Sequence, residues 1–134
     1  MARRFHTVDV FTTKQFAGNP LAVVHDAEGL DTQAMQAIAR EFNLSETVFV
    51  LPQTTPGHRA DIRIFTPGGE LPFAGHPTVG TAVLLASLDG LAPGQSTSFL
   101  LGEKAGPVPC RVSRDQAGTF HATFDAPRLS EPAG

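Results

Sequence analysis

Tryptophan and tyrosine are absent from this chain, and its 134 residues include a single cysteine. One cysteine excludes an intrachain disulfide and any mechanism that takes two thiols from this chain. Cys110 falls in a β-rich stretch and reads as a buried core thiol. Charge is also scarce, with a net of -3. The basic residues Arg3, Arg4, Arg40, Arg59, Arg63, Arg111 and Arg114 are scattered, whereas a nucleic-acid surface needs a clustered basic face. No long apolar run is present. The least charged stretch, Phe73 to Leu88, is broken by Gly, His, Pro and Thr and is too short to span a bilayer. The opening MARRFHTVDVF lacks the apolar segment of a signal peptide. A cytoplasmic protein without nucleic-acid or membrane partners is expected. His6, His25, His58 and His121 show no metal-ligand spacing, so no metal site is expected.

What remains is a folded composition, 41% hydrophobic, of a length that suits one domain. Phe5 to Phe11 reads as a strand. Phe16 to Pro20 is a turn, with Asn and Gly tolerant of positive φ and Pro20 setting the exit. Leu21 to His25 is a second strand. Asp31 or Thr32 caps a helix to about Phe42, with Met35, Ile38 and Phe42 on one face and Asn43 as its stop. Glu46 to Leu51 is a strand and Pro52 to Gly57 a loop. Ala60 to Phe65 alternates as a half-buried strand, and Thr66 to Gly69 turns the chain.

Pro77 to Leu88 is a helix with proline in its first turn, where the missing N–H costs nothing. From Thr78 to Leu88 it carries no charge, and a helix apolar all round is buried all round. Strands follow at Ser96–Leu101, Pro107–Ser113 and Thr119–Phe124. Many short strands with one amphipathic and one buried helix indicate an α+β fold.

Chemistry is expected at three junctions: Gly18-Asn19-Pro20, Asn43-Leu44-Ser45-Glu46 and Gly75-His76-Pro77. Loops held by a rigid scaffold often carry function. The helix entered at Pro77 offers free N–H groups and the positive end of its dipole to an anion. His76 at its lip can give or take a proton near neutral pH. Glu46 opens an apolar strand, and a carboxyl among apolar walls becomes a better base. Each residue also has an ordinary structural reading. Gly75 can make a turn, His76 can cap a helix, Glu46 can lie in solvent and Ser45 can be a turn hydroxyl. A Ser45–His76 hydrolase pairing is open as well, although no nucleophile-elbow motif supports it.

Taken together, the junctions resemble one family. FAGNPLAVV (Phe16–Val24), MQAIAREFNLSETVFV (Met35–Val50) and IRIFTPGGELPFAGHPTVGTA (Ile62–Ala82) closely resemble the PhzF family of phenazine-biosynthesis-like isomerases. The resemblance implies a diaminopimelate-epimerase-like fold, in which each of two lobes is a mixed β-barrel wrapped around a central helix. It implies an active site between the lobes, no metal or organic cofactor, and a small carboxylate substrate, dihydro-hydroxyanthranilate-like or amino-acid-like. Glu46 matches the family's general acid/base. His76 matches the histidine that assists proton transfer, and Asn19, Ser45 and Gly75 match the cleft lining. The family's chain is about twice as long, and its second half carries an Asp before T-G-S-A. Asp125-Ala126-Pro127 does not match that stretch. Residues 1–126 are therefore expected to be one lobe, and 127–134 the start of a linker to a missing C-terminal lobe. Alone, the lobe is expected to be inactive, or a non-catalytic carboxylate binder. It is also expected to self-associate as a homo-oligomer, with a dimer as the simplest case, because a lone lobe exposes sheet edges.

Overall fold

The computed structural model describes residues 5–10 and 19–126, with 5–10, 19 and 20 described by backbone alone. Its elements run β1 (Phe5–Val10), β2 (Asn19–Val24), α1 (Thr32–Phe42), β3 (Glu46–Leu51), β4 (His58–Thr66), β5 (Gly69–Leu71), α2 (Gly75–Leu88), β6 (Ser96–Glu103), β7 (Gly106–Arg114) and β8 (Phe120–Phe124). All eight strands join one mixed sheet in the order β1-β2-β3-β4-β6-β7-β8, with β5 beside β4. Two neighbouring pairs, β2/β3 and β4/β6, are parallel. Parallel neighbours need a crossover connection, and each here contains a helix. β4 shares one edge between two partners: β6 pairs with His58 to Asp61, and β5 with Ile64 to Thr66.

The two helices cover opposite faces. Alternation along a strand sends successive side chains to opposite sides. In β3, Val48 and Val50 meet the core around α2, while Phe49 and Leu51 meet the core under α1. In β4, Ala60, Ile62 and Ile64 face α2, while Phe65 packs under α1 against Phe49, ring centroids 5.4 Å apart. So β4 is buried on both faces near its end, where its sequence alternation indicates only one.

α1 follows its sequence signals. The Asp31 carboxylate accepts from the Ala34 N–H at 2.7 Å, and Asn43 closes the helix at φ 52. These are the usual N-cap bond and left-handed stop. Met35 and Ala39 are buried, with Ile38 and Phe42 packed beside them.

α2 lies in the concave face of the curled sheet and touches β1, β2, β3, β7 and β8. Among the described residues β1 and β8 each pair on one side only, so the sheet is a half-barrel with the helix packed against both outer strands. This explains a departure from the expected all-round burial. Thr78, Thr81, Ala82, Leu85 and Ala86 are buried, but Val79, Val83 and Leu84 are only partly so, and Leu88 is 49% exposed. Several boundaries also move, and Gly69–Leu71 forms an unexpected short strand, β5. Asn19 and Pro20 belong to strand β2 rather than to a turn, and Phe16 to Gly18 lie outside the described residues. α2 begins at Gly75, two residues before Pro77.

Candidate active site

Strand register brings Asn19 and Glu46 to the same end of the half-barrel. Leu21 pairs with Glu46, and β2 and β3 run parallel, so Asn19 and Glu46 lie at the starts of adjacent strands. Ser45, exposed, immediately precedes Glu46. Glu46 shares a strand face with Val48 and Val50, which places it on the α2 side of the sheet. It is half-buried there.

α2 runs alongside. Its last turn, with Leu85, Leu88 and Asp89, lines a cavity of about 500 Å³ together with His25, Val50, Leu51 and Ala60. Those are the far ends of β2 and β3. A 14-residue helix spans about 20 Å, and a six-residue strand almost as much. The first turn of α2, with Gly75 and His76, therefore lies toward the starts of β2 and β3. Asn19, Ser45 and Glu46 thus lie at the starts of these strands and Gly75 and His76 at the start of α2, each away from that cavity.

His76 and Gly75 lie inside the helix, not on a loop at its lip as their position before proline suggests. Ala74 is the N-cap and contributes no side-chain bond, and the first turn holds no acidic residue. The N–H groups at the helix start and the positive end of its dipole are thus left for an anion. Gly75 packs against Phe124: a Cβ there would lie 3.0 Å from the ring edge. Phe73 adds a tilted ring contact with Phe124 at 5.6 Å. His76 is half-buried, and its Nε2 is buried with no hydrogen-bond partner among the described residues.

One group near this turn escapes the sequence reading. Glu103, at the end of β6, is only 8% exposed, and its Oε2 lies 2.7 Å from Thr78 Oγ1. Burial pushes its carboxyl up to about 7, and the contact with Thr78 offsets this only in part. The alternation Phe99, Leu101, Glu103 carries the signal, provided the strand is extended past Leu101 to Glu103. Burial pushes the Cys110 thiol on β7 up to about 12, and Glu103 adds to the effect.

Two of the histidines without metal-ligand spacing do find carboxylates. His58 Nδ1 lies 3.0 Å from Asp61 Oδ1, and His121 Nε2 lies 3.1 Å from Asp115 Oδ2. Burial pushes Asp61 up, but hydrogen bonds from Thr54 and His58 outweigh it and hold the carboxyl below its ordinary value. Neither pair gains a third ligand, and no group of three His, Cys, Asp or Glu forms a metal-sized cluster among the described residues. No helix among them is long and apolar enough to cross a membrane.

Known proteins are similar to this chain in sequence and fold. The family model for phenazine biosynthesis-like proteins, PhzC-PhzF, matches residues 8–134. An uncharacterised isomerase of Mesorhizobium japonicum is 60% identical over 130 residues, covering 97% of this chain and 42% of its own length. The trans-2,3-dihydro-3-hydroxyanthranilate isomerase of Pseudomonas aeruginosa is 40% identical over 124 residues, covering 92% and 42%. The solved structure of a predicted epimerase from Pseudomonas aeruginosa superposes with a TM-score of 0.78 at 41% identity, covering 92% of this chain and 43% of that one. A hydroxyproline epimerase from Agrobacterium vitis shares only 13% identity but a TM-score of 0.67, over 87% of this chain and 39% of its own, which shows the diaminopimelate-epimerase-like fold. The chain thus spans about two-fifths of the length of these relatives. Matched along almost its whole length, the chain belongs to the PhzC-PhzF family of phenazine biosynthesis-like proteins.

Proposed function

We propose that the protein carrying this chain is a cofactor-independent isomerase or epimerase that moves a proton between carbons of a small carboxylate substrate. One observation supports this most: parallel register puts Glu46 on the α2 face at the end where the first turn of α2 brings His76.

In this reading Glu46 takes a proton from a carbon next to an electron-withdrawing group. The electron pair left behind delocalises toward an oxygen. The uncapped, acid-free start of α2 stabilises that developing negative charge. Glu46 or His76 returns a proton at another carbon, or at the opposite face of the same one. Total charge and proton count are unchanged across the cycle. His76 suits the second role because its Nε2 has no hydrogen bond among the described residues holding it in another task. Asn19, Ser45 and Gly75 line the cleft. Gly75 gives room for the Phe124 ring beneath the helix start, and Ser45 offers an exposed hydroxyl.

Residues 1–126 form one lobe, and 127–134 lead toward a second that completes the cleft. The chain's span of 42% of its relatives supports this division. The substrate named for the Pseudomonas aeruginosa relative is the first to try. Full-length protein with trans-2,3-dihydro-3-hydroxyanthranilate in deuterated water should place solvent deuterium in product. Glu46→Gln should lower that incorporation by at least 100-fold. Undiminished incorporation would remove Glu46 from the mechanism. Anthranilate that binds the full-length protein while no deuterium is incorporated would favour a binding lobe over an enzyme.

A further inference from the structure

Glu103 is not among the groups given a role above. It sits where β6 ends, beside the first turn of α2. Two oxygen–oxygen contacts meet there at one hydroxyl. Thr78 Oγ1 lies 2.8 Å from the Ala74 carbonyl oxygen and 2.7 Å from Glu103 Oε2. Each distance is that of an O–H···O hydrogen bond, so each needs a proton between its oxygens. The Ala74 carbonyl has none to give, and Thr78 has one. If Thr78 donated to a Glu103 carboxylate, its lone pairs would face the Ala74 carbonyl at 2.8 Å. If it donated to Ala74, they would face the carboxylate at 2.7 Å. One proton shared between the two acceptors would leave both bonds weak, whereas a proton supplied by Glu103 gives each contact its own.

The other Glu103 oxygen agrees. Oε1 is buried without a partner. An ionised oxygen left so is far more costly than the carbonyl oxygen of a neutral acid. Around it, Cys110 faces from β7 and His76 is the titratable group in the first turn of α2. His58, Asp61, Arg63, Glu70 and Lys104 line the same cavity of about 400 Å³. The two cations lining that cavity, Arg63 and Lys104, are both engaged by Glu70. A second tie runs in parallel: the Ala105 N–H, in the β6–β7 turn, donates to the Pro72 carbonyl at 3.0 Å.

We propose that Glu103 is a positioning residue: as a neutral acid it donates to Thr78 Oγ1, which donates to the Ala74 carbonyl, and this relay fixes the helix turn that carries Gly75 and His76. The relay thus ties the helix start, through the Ala74 carbonyl, to β6 and leaves its free N–H groups untouched. This role rests on His76 belonging to the site, but its test does not need turnover.

The test is nuclear magnetic resonance on the full-length protein, labelled with 15N in histidine and 13C in the Glu carboxyls. At pH 6 the Glu103 carboxyl should show the chemical shift of a neutral acid. Glu103→Gln can still donate, and it should leave the His76 ring signals in place. Glu103→Leu and Thr78→Val cannot complete the relay. Each should shift the His76 signals and speed exchange of the Thr78 and Val79 amides at least tenfold. An ionised Glu103 at pH 6 would overturn the proposal. So would unchanged His76 signals in Glu103→Leu, or equal disturbance by Gln and Leu. Should Glu103→Leu fail to fold, unchanged signals in Thr78→Val would overturn it instead. Failure of the catalytic reading looks different: Glu46→Gln would keep its deuterium incorporation while the relay signals stayed as described.

Discussion

Replacing Glu103 by Gln should change how stability depends on pH. The Glu103 carboxyl is raised from 4.5 to about 7 by burial. Between those values the folded protein holds a proton that the unfolded chain has released. Stability contributed by the neutral acid is therefore fully present below about pH 4.5 and is lost as pH rises through about 7. At ~1.4 kcal/mol per pH unit, the gap amounts to about 3 kcal/mol, and to about 2–3 once solvent in the adjoining cavity is allowed for. Gln keeps the shape and a donor for Thr78 but cannot ionise. Urea denaturation at pH 5 and pH 8 should show the parent losing about 2–3 kcal/mol from this group, and Glu103→Gln losing correspondingly less. The two proteins should be close at pH 5, with the variant more stable at pH 8. Parallel pH profiles for the two would refute the reasoning, because they would mean that Glu103 titrates alike in the folded and unfolded states.

Further outcomes follow from the same packing. Cys110 is buried, and burial pushes its thiol up to about 12, so it should resist a thiol reagent at pH 8 until the protein is denatured. Fast labelling of native protein would contradict its burial. Gly102→Ala would put a Cβ within 2.6 Å of His58 Nδ1 and closer still to Asp61 Oδ1, so the His58–Asp61 pair must give way. A loss of about 1–3 kcal/mol is expected in chemical denaturation, and an unaltered midpoint would refute the close approach. Among the described residues β8 has a partner only on its β7 side. An open strand edge favours self-association, so the 134-residue chain should sediment as a dimer or larger at high concentration. A strictly monomeric profile would argue against a homo-oligomer.

Much of this molecule is legible from local signals, because those signals act over a few residues. Asp31 can reach the Ala34 N–H, and Asn43 can take the left-handed stop, whatever packs nearby. The alternation Ala60, Ile62, Ile64 marks a core face by spacing alone. The ordered junction motifs carry the family for the same reason. The start of α2 was not legible. A residue before proline disfavours helix, so His76 reads as loop. In the folded chain Phe124 packs on Gly75, and Thr78 is bonded to Ala74 and Glu103, which extends the helix to Gly75. The partner strand likewise carries β6 past Leu101, where Gly102 and Glu103 pair with Pro107 and Gly106. The sequence by itself determined seven of the eight strands in outline, the caps of α1, the charge-free helix and the family. Tertiary structure alone decided that Glu46 and the first turn of α2 share one end of a half-barrel, and that Glu103 stands behind that turn. Those relations depend on contacts across some 25 to 50 residues of chain, such as Thr78 with Glu103 or Gly75 with Phe124, which no local spacing encodes.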